Sequence, residues 1–367
     1  MSDRVQRLAP GATIGILGGG QLGRMLALAA ARLGLKCHVF CPDPQAPAFD
    51  VVRRATLADY GDENALDRFA EAVDVITYEF ENVPAETAAF LSERRPVLPN
   101  PAVLATTQDR LTEKTFVAEL DVRTAPFAAV DSPASLADAL ARIGRPAVLK
   151  TRRFGYDGKG QALIRESADP AQAFRAIGAH PAIVEAFVPF EREISVVVAR
   201  QHDGQIECFD VIENEHRDHI LKVSRVPADV PAELALEARR IAQKIAAAFD
   251  YVGVLAVEMF VVGQGSGPAV LVNEIAPRVH NSGHWSIDGC SVSQFEQHIR
   301  AVAGWQLAKP VRHGNAEMIN LIGTEVNDYA RWLGEPGVAV HLYGKTGPHP
   351  GRKMGHVTRI GSSGAKD

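Results

Sequence analysis

The sequence predicts an α/β protein in three parts, and three observations support this prediction. Strand-like and helix-like segments alternate over the first part of the chain, which is typical of a parallel sheet covered by helices. A shorter set of strands and helices follows, around a glycine-rich turn. From Glu193 onward, apolar runs follow one another with short connections, which indicates an antiparallel sheet.

The first part begins as a βαβ unit. An apolar strand at Thr13 to Leu17 leads through a glycine turn into a helix over about Gln21 to Leu33, and a second strand follows at Cys37 to Phe40. We therefore predict a Rossmann-like domain with a parallel sheet over residues 1–108. Its remaining predicted elements are strands at 73–77 and 96–98 and a helix at 62–72.

The second part reads as a small α+β domain over residues 109–190. A glycine-rich hairpin at Phe154 to Ile164 lies near its middle, and Pro189 ends it. The other predicted elements are helices at 106–119, 134–143 and 170–177, and strands at 127–130, 146–150 and 182–188.

The third part, residues 191–367, should be dominated by an antiparallel sheet with a small strand-rich segment at its C-terminal end. The last residues, 361–367, read as a frayed tail. The predicted strands are 193–200, 206–214, 220–226, 254–262, a strand beginning near 271, 316–322, 338–343 and 356–360, with helices at 232–249 and 292–302.

Composition excludes several classes of protein. The chain has 367 residues, of which 46% are hydrophobic, and its formal net charge is −5, which argues against a nonspecific nucleic-acid binder. We see no membrane-spanning run and no signal-peptide pattern, so we expect a cytoplasmic protein. The four cysteines are too few for a disulfide scaffold and are expected to be reduced.

The glycine motif Gly18 to Gly23 leaves one alternative open. It has the G-x-G-x-x-G spacing after a strand and before a helix, and Asp43 follows where a ribose-binding acid would lie. Taken alone, it suggests a dinucleotide and hence a nicotinamide-dependent oxidoreductase. On physical grounds the motif indicates only an anion site, because its glycines let backbone amides approach an anion at a helix N-terminus, whatever molecule carries that anion.

A second glycine-rich loop predicts a phosphate site. Lys150 ends an apolar strand, and the loop up to Gln161 adds three glycines and Lys159. Glycines allow main-chain amides to reach phosphate oxygens, and lysines supply positive charge without a fixed geometry. An ordinary exposed hairpin is the alternative interpretation.

Two acids in neighbouring strands favour the phosphate interpretation. Glu258 and Glu274 lie in apolar strands joined by a glycine-rich turn, so antiparallel pairing should bring their carboxylates side by side. Magnesium takes carboxylate oxygens together with substrate phosphates. Asn273 could add an amide oxygen, and Arg278 could reach a developing phosphoryl charge.

Taken together, these segments resemble the ATP-grasp family, and within it the 5-(carboxyamino)imidazole ribonucleotide synthases, over nearly the whole chain. The resemblance implies a three-part ATP-grasp fold, in which the small second domain is a lid, and an ATP-dependent ligase of purine biosynthesis. The motifs that carry the resemblance are Gly18 to Met25, Thr77 to Pro84, Phe154 to Gln161, Asn273 to Trp285, Tyr343 to Lys345 and Gly351 to His356.

The implied reaction carboxylates 5-aminoimidazole ribonucleotide with bicarbonate through carboxyphosphate, releasing ADP and phosphate. ATP is then the co-substrate, Mg²⁺ the metal on Glu258 and Glu274, and a homodimer the expected assembly. The residues placed on ATP are Arg110, Lys150, Gly155, Tyr156, Asp157, Gly158, Lys159, Gly160, Gln161, Glu185, Ala186, Phe187, Val188, Glu193, His216, Asn273 and Glu274.

The resemblance also divides the remaining site residues between substrate and chemistry. Tyr156 and Asp157 would close over the reaction, Arg278 would neutralise phosphoryl charge, and His280 and Asp157 would move a proton or orient the amine. Other ATP-grasp ligases, such as a formate-dependent glycinamide ribonucleotide transformylase, remain alternatives. The residues placed near the ribonucleotide are Gln21, Leu22, Glu79, Asn82, Asn281, Ser282, Lys345 and Arg352.

Overall fold

The structure is a computed structural model that describes residues 7–155, 159–264 and 267–361. Its first layer is a parallel sheet whose strands are almost fully buried where helices cover them, as the alternating sequence pattern predicts. The elements are β1 (Thr13–Leu17), α1 (Gln21–Arg32), β2 (Lys36–Cys41), β3 (Arg54–Leu57), α2 (Glu63–Glu71), β4 (Val75–Tyr78), α3 (Ala85–Ser92) and α4 (Pro101–Thr107). Within the described residues, the strand order is β3-β2-β1-β4.

Four details of this part differ from the sequence prediction, and one of them is helix α3, which was not predicted. Strand β3 was missed because it is an edge strand with mostly exposed side chains and no apolar run. Residues 96–98 contribute only a parallel bridge between Val97 and Ile76. The single helix predicted over 106–119 is interrupted, because the Asp109 side chain accepts hydrogen bonds from the Leu111 and Thr112 amides and begins a new helix.

A small antiparallel sheet with helices follows, which agrees with the α+β character predicted for this part. Its strand order is β5-β8-β6-β7, so the strand that carries Lys150 lies beside the strand that carries Glu185. The elements are α5 (Arg110–Glu119), β5 (Phe127–Val130), α6 (Pro133–Ile143), β6 (Ala147–Thr151), β7 (Gln161–Ile164), α7 (Pro170–Ala176) and β8 (Ala182–Ala186).

A large antiparallel sheet makes up the rest of the chain. The strand predicted over 206–214 is two strands, and the C-terminal strands belong to the same large sheet. The elements are β9 (Arg192–Arg200), β10 (Ile206–Cys208), β11 (Ile212–Arg217), β12 (Ile220–Val226), α8 (Ala232–Ala248), β13 (Gly253–Gln264), β14 (Gly267–Ala276), α9 (Ser286–Gly289), α10 (Gln294–Val302), β15 (Asn315–Ile322), α11 (Tyr329–Leu333), β16 (Val338–Leu342) and β17 (Lys353–Gly361). Their order is β14-β13-β9-β11-β12-β15-β17-β16, with β10 paired to β9.

The parallel sheet and the large sheet share one hydrophobic core. Helices α1 and α10 pack against each other, and apolar residues of β1, β9 and both helices belong to the same buried cluster. The Thr77 hydroxyl and His298 Nε2, both fully buried, form a 2.8 Å hydrogen bond across this contact. The glycine turn before α1 is therefore held in a fixed position relative to the large sheet. No helix among the described residues is long and apolar enough to span a membrane.

Candidate active site

A cavity of about 460 Å³ lies between the small sheet and the large sheet, a volume typical of ligand sites. Lys150 and Glu185 line it from the small sheet, and Glu258 and Glu274 line it from the large sheet. The sequence-predicted ATP residues on its wall are Arg110, Lys150, Gly155, Lys159, Gln161, Glu185, Ala186, Phe187, Val188, Glu193, His216, Asn273 and Glu274. Tyr156, Asp157 and Gly158 lie outside the described residues.

The two acids of the large sheet face each other directly, as the hairpin prediction requires. Glu258 on β13 is the register partner of Glu274 on β14, whereas the next pair is Met259 with Val272. Asn273 is therefore the extra residue of a β-bulge. The bulge lies at the cavity wall, where both Asn273 and Glu274 are lining residues. The sequence pattern did not predict it.

This donor set fits a hard cation. The side-chain oxygen Oδ1 of Asn273 is buried without a hydrogen-bond partner, and such an orphaned acceptor is costly unless something binds it. Two carboxylates and an amide oxygen are ligands that Mg²⁺ accepts. Among the described residues no cluster of three or more His, Cys, Asp or Glu side chains could hold a metal ion alone. A cation here would therefore need phosphate oxygens or water as further ligands.

Both acids are paired with cationic or hydrogen-bonding side chains of the protein itself. Glu258 Oε1 lies 2.9 Å from His280 Nε2, and Glu274 Oε2 lies 3.0 Å from Arg110 Nη1. Burial alone would raise the pKa of Glu258, but the contact with His280 outweighs burial and lowers that pKa below its usual value. Glu258 is therefore ionised at neutral pH and ready to accept a cation.

The opposite wall holds a carboxylate between two lysines. Glu185 on β8 lies 3.1 Å from Lys150 and 3.4 Å from Lys114, which is 98% buried. Burial alone would raise the pKa of Glu185, but the two lysines lower it. Lys114 also donates a 3.2 Å hydrogen bond to the carbonyl of Val272, so this lysine joins the small sheet to the large sheet.

Sequence reasoning missed Lys114 and its neighbour Glu113. Glu113 is also buried, and it accepts a 2.5 Å hydrogen bond from the Ile275 amide next to Glu274. Burial and the nearby Glu274 raise the pKa of Glu113 to about 8. Their spacing could have indicated a place in the site. Glu113 and Lys114 follow Arg110 by three and four residues, so they lie on the same helix face as this predicted site residue.

The far end of the cavity is lined by aromatic and apolar side chains together with an acid and a histidine. Phe187 and Val188 line it beside β8, and the rings of Phe190 and Phe260 stack 4.6 Å apart. Glu193 accepts a 2.5 Å hydrogen bond from His216 Nδ1. Burial opposes the charged form of His216, but Glu193 raises its pKa. Gly160, also assigned to ATP, has a positive φ of 71° at the base of the hairpin and is not part of the cavity wall described here.

The glycine turn has a different role from the one that the dinucleotide alternative requires. The buried carboxylate of Glu79 accepts hydrogen bonds from the Gly20 amide at 2.7 Å and the Gly23 amide at 2.9 Å. It thus occupies the anion position at the N-terminus of α1. Burial raises the pKa of Glu79, and the two amides oppose this shift. Because an internal carboxylate already fills this position, the structure does not support a bound dinucleotide phosphate there.

A C-terminal loop lies over this turn. Lys345 is close enough to Glu79 to interact with it electrostatically, and burial together with Arg352 lowers the pKa of Lys345 to about 8. The Thr346 hydroxyl donates a 2.8 Å hydrogen bond to Gln45 in the first part of the chain. The structure thus brings Lys345 to the turn that precedes the helix beginning with Gln21 and Leu22, while Arg352 donates a 2.7 Å hydrogen bond to the Thr346 carbonyl within the same loop. Among the described residues, these four and Glu79 lie outside the cavity wall.

Arg278 connects the two regions. Its guanidinium pairs with Glu81 through two nitrogens, with Nη2 3.0 Å from Oε1 and Nε bonded to Oε2. Burial alone would raise the pKa of Glu81, but Arg278 holds it at about 2. Arg278, Glu81 and Asn82 all line the cavity. The segment that carries Glu79 therefore reaches the cavity through Glu81.

Two residues assigned to the ribonucleotide have mainly internal contacts. The side-chain amide of Asn281 exchanges two hydrogen bonds with Asn320, at 3.0 and 2.7 Å, although Asn281 also lines the cavity. Ser282 is fully buried behind His280, where it contacts His280 and Ser195. In this arrangement Ser282 supports the site from behind, which corrects the prediction of a direct substrate contact.

Comparisons with known proteins divide the chain into three successive parts. Three family models match successive parts of the chain: a ribonucleotide synthetase preATP-grasp domain over residues 11–108, an ATP-grasp domain over 115–295 and a phosphoribosylaminoimidazole carboxylase C-terminal domain over 316–366. The chain is 50% identical to an N5-carboxyaminoimidazole ribonucleotide synthase of Brucella melitensis, over 96% of this chain and 97% of the relative.

Two solved structures resemble the fold over nearly its whole length. The ADP complex of an N5-carboxyaminoimidazole ribonucleotide synthetase has a TM-score of 0.93 and 40% identity, and the match covers 98% of this chain and 94% of that chain. The Aspergillus clavatus N5-carboxyaminoimidazole synthase in complex with ADP and 5-aminoimidazole ribonucleotide has a TM-score of 0.87 and 28% identity, with 96% and 95% covered.

Proposed function

Because this chain belongs to the N5-carboxyaminoimidazole ribonucleotide synthases of the ATP-grasp family, we propose that it catalyses the ATP-dependent carboxylation of 5-aminoimidazole ribonucleotide. ATP phosphorylates bicarbonate to carboxyphosphate, the ribonucleotide amine takes the carboxyl group, and ADP and phosphate leave. This is a carbon–nitrogen ligase reaction of purine biosynthesis. The alternatives of an oxidoreductase and of another ATP-grasp ligase are set aside.

One observation carries most of this proposal. A nucleotide-sized cavity with paired acids and a lysine-bound carboxylate connects, through Arg278 and Glu81, to a second basic region at Lys345. Two half-reactions that share an unstable intermediate need two such adjacent regions, because the intermediate must reach the amine before water does. A dehydrogenase would need neither the acids nor this second region.

ATP would bind along the cavity between the two sheets. Lys150 and Arg110 would contact its phosphates, while Glu185 to Val188, Glu193 and His216 would hold the nucleoside. Magnesium bound by Glu258, Asn273 and Glu274 would neutralise charge on the phosphoryl group. The orphaned oxygen of Asn273 and the facing carboxylates support this assignment.

Ligand binding requires an exchange of partners. Arg110 is paired with Glu274, and Arg278 with Glu81. We infer that a phosphate draws Arg110 away and frees Glu274 for the cation. Arg278, still positioned by Glu81, then faces the charge that develops when bicarbonate attacks. Such charges, fixed before reaction, stabilise the transition state without reorganisation.

The ribonucleotide would bind where the C-terminal loop meets the glycine turn. Lys345 and Arg352 would hold its phosphate, near Gln21, Leu22, Glu79 and Asn82, and Asn281 would contribute to the wall between the two regions. Tyr156 and Asp157, which follow Gly155 in the sequence, would exclude water during carboxyl transfer. The cytoplasmic location and the homodimer remain predictions, and sedimentation of the purified chain checks the second.

A coupled assay tests the proposal. The full chain is incubated with ATP, Mg²⁺ and bicarbonate, with and without 5-aminoimidazole ribonucleotide, and phosphate release is followed. We expect phosphate release to require the ribonucleotide, and the amount of phosphate released to equal the amount of ribonucleotide amine consumed. Equal release without the ribonucleotide would reject the substrate assignment, and release that does not depend on bicarbonate would reject the carboxylation.

A further inference from the structure

Behind the acid pair, a row of buried polar side chains crosses the large sheet. Ser195, Ser224 and Ser282 are fully buried and Asn214 is 94% buried. Ser195 is the register partner of Glu258, and Asn214 is the register partner of Ser224. The row therefore runs from β12 through β11 and β9 toward the cation position on β13.

The row is one continuous chain of hydrogen bonds that ends at His280. The links are Ser224 Oγ to Asn214 Oδ1 at 2.9 Å, Asn214 Nδ2 to Ser195 Oγ at 2.9 Å, Ser195 Oγ to Ser282 Oγ at 2.8 Å and Ser282 Oγ to His280 Nδ1 at 2.9 Å. Hydroxyl hydrogens rotate, so distances alone do not fix which atom donates. The direction has to come from a group that does not rotate.

The main-chain amide of Ser282 provides that group. Its N–H points at His280 Nδ1 from 3.3 Å, so Nδ1 must present a lone pair and not a proton. The Ser282 hydroxyl then also donates to Nδ1 and must accept from Ser195. Ser195 in turn accepts from the Asn214 amide, whose oxygen accepts from Ser224. One fixed amide thus determines the direction of every link.

With Nδ1 acting as an acceptor, the imidazole proton lies on Nε2, which faces Glu258 Oε1 at 2.9 Å. The main chain of His280 is also held on both sides, because its N–H donates to Gln294 Oε1 at 2.9 Å and its carbonyl accepts from Gln294 Nε2 at 2.6 Å. The ring therefore has a fixed position, a fixed orientation and a fixed tautomer.

We propose that Ser195, Asn214 and Ser282 are positioning residues that hold the ring of His280 with Nδ1 as an acceptor and its proton on Nε2, so that His280 orients Glu258 as a hydrogen-bond donor. His280 then does not abstract a proton in the reaction. Hydrogen bonds behind a metal ligand commonly fix its orientation in this way. The inference deepens the proposed function and rests on it for the role of Glu258 as a magnesium ligand. The position of the ring proton does not depend on any substrate.

The tautomer is measured by nitrogen-15 NMR of the histidine rings in the ligand-free full chain, with His280→Gln used to assign the signal. We expect a protonated Nε2 and an unprotonated Nδ1 at neutral pH. A ring protonated at Nδ1 would overturn the proposal. Because no substrate is present, this result does not depend on whether the carboxylation assignment is correct.

Two matched variants test the positioning role. Ser282→Ala removes the hydroxyl donor to Nδ1 at 2.9 Å and leaves only the longer main-chain amide contact at 3.3 Å. We therefore expect a minor Nδ1-protonated population to appear beside the Nε2-protonated one, and kcat to fall about 10–100-fold, the usual effect of losing such a partner. Ser224→Ala removes an equally buried hydroxyl at the far end of the row and should leave tautomer and kcat unchanged. Equal losses in both variants, or an unchanged tautomer in Ser282→Ala, would reject the role.

Discussion

Lys114→Met is expected to destabilise the protein through the contact between the two sheets. The substitution keeps most of the aliphatic stem but removes the charge that lies 3.4 Å from Glu185 and 3.2 Å from the Val272 carbonyl oxygen, at a site 98% buried. Removing one partner of a buried ion pair usually costs about 3–5 kcal/mol. Because Lys150 still neutralises Glu185 from 3.1 Å, we expect the lower end of that range, about 3 kcal/mol.

Urea unfolding measures this change. With a denaturant slope of about 3 kcal/mol per molar, a loss of about 3 kcal/mol moves the midpoint down by about 1 M. Lys150→Met is the matched control, because it loses a contact to the same carboxylate from the cavity wall and should weaken ATP binding more than stability. A midpoint for Lys114→Met that equals the wild-type value, or that shifts no more than in Lys150→Met, would refute the reasoning.

Three further predictions concern the site. Glu274→Gln should abolish ADP formation, since it removes a ligand charge from the cation position, and a near-normal rate would make Glu274 structural. The KM for the ribonucleotide should rise as pH passes about 8, where Lys345 loses its charge. Lys345→Arg should remove this pH dependence, and an unchanged profile would contradict a phosphate contact. Glu79→Gln leaves the Gly20 or the Gly23 amide facing an NH₂ group instead of an acceptor. Urea unfolding should therefore show a free energy of unfolding lower by about 1–3 kcal/mol. An unchanged free energy of unfolding would contradict the anchoring role of Glu79.

The order of the sheets and the pairing of the two acids could be predicted because both depend on patterns that are local in the sequence. Two apolar strands joined by a glycine-rich turn must pair, and the pairing places Glu258 opposite Glu274. The bulge at Asn273 could not be predicted, since it depends on a register shift that leaves the apolar periodicity of each strand intact.

The supporting residues were missed for a different reason. Lys114 and Glu113 resemble exposed helix residues in the sequence, and only the packing of α5 between the two sheets buries them. Ser195 and Asn214 are isolated polar residues within strands, and their partners come from other strands. The glycine turn could not be assigned from the sequence, because its spacing indicates an anion at a helix N-terminus but does not say which anion. In the structure that anion is the Glu79 carboxylate and not a dinucleotide phosphate.

The most direct test of the proposed reaction follows the oxygen atoms of bicarbonate. Bicarbonate labelled with heavy oxygen is supplied with ATP, Mg²⁺ and 5-aminoimidazole ribonucleotide, and the phosphate and the ribonucleotide product are examined by mass spectrometry. If carboxyphosphate forms in the cavity, one labelled oxygen appears in the released phosphate and the remaining label appears in the carboxylated product. Unlabelled phosphate formed alongside labelled product would contradict the account.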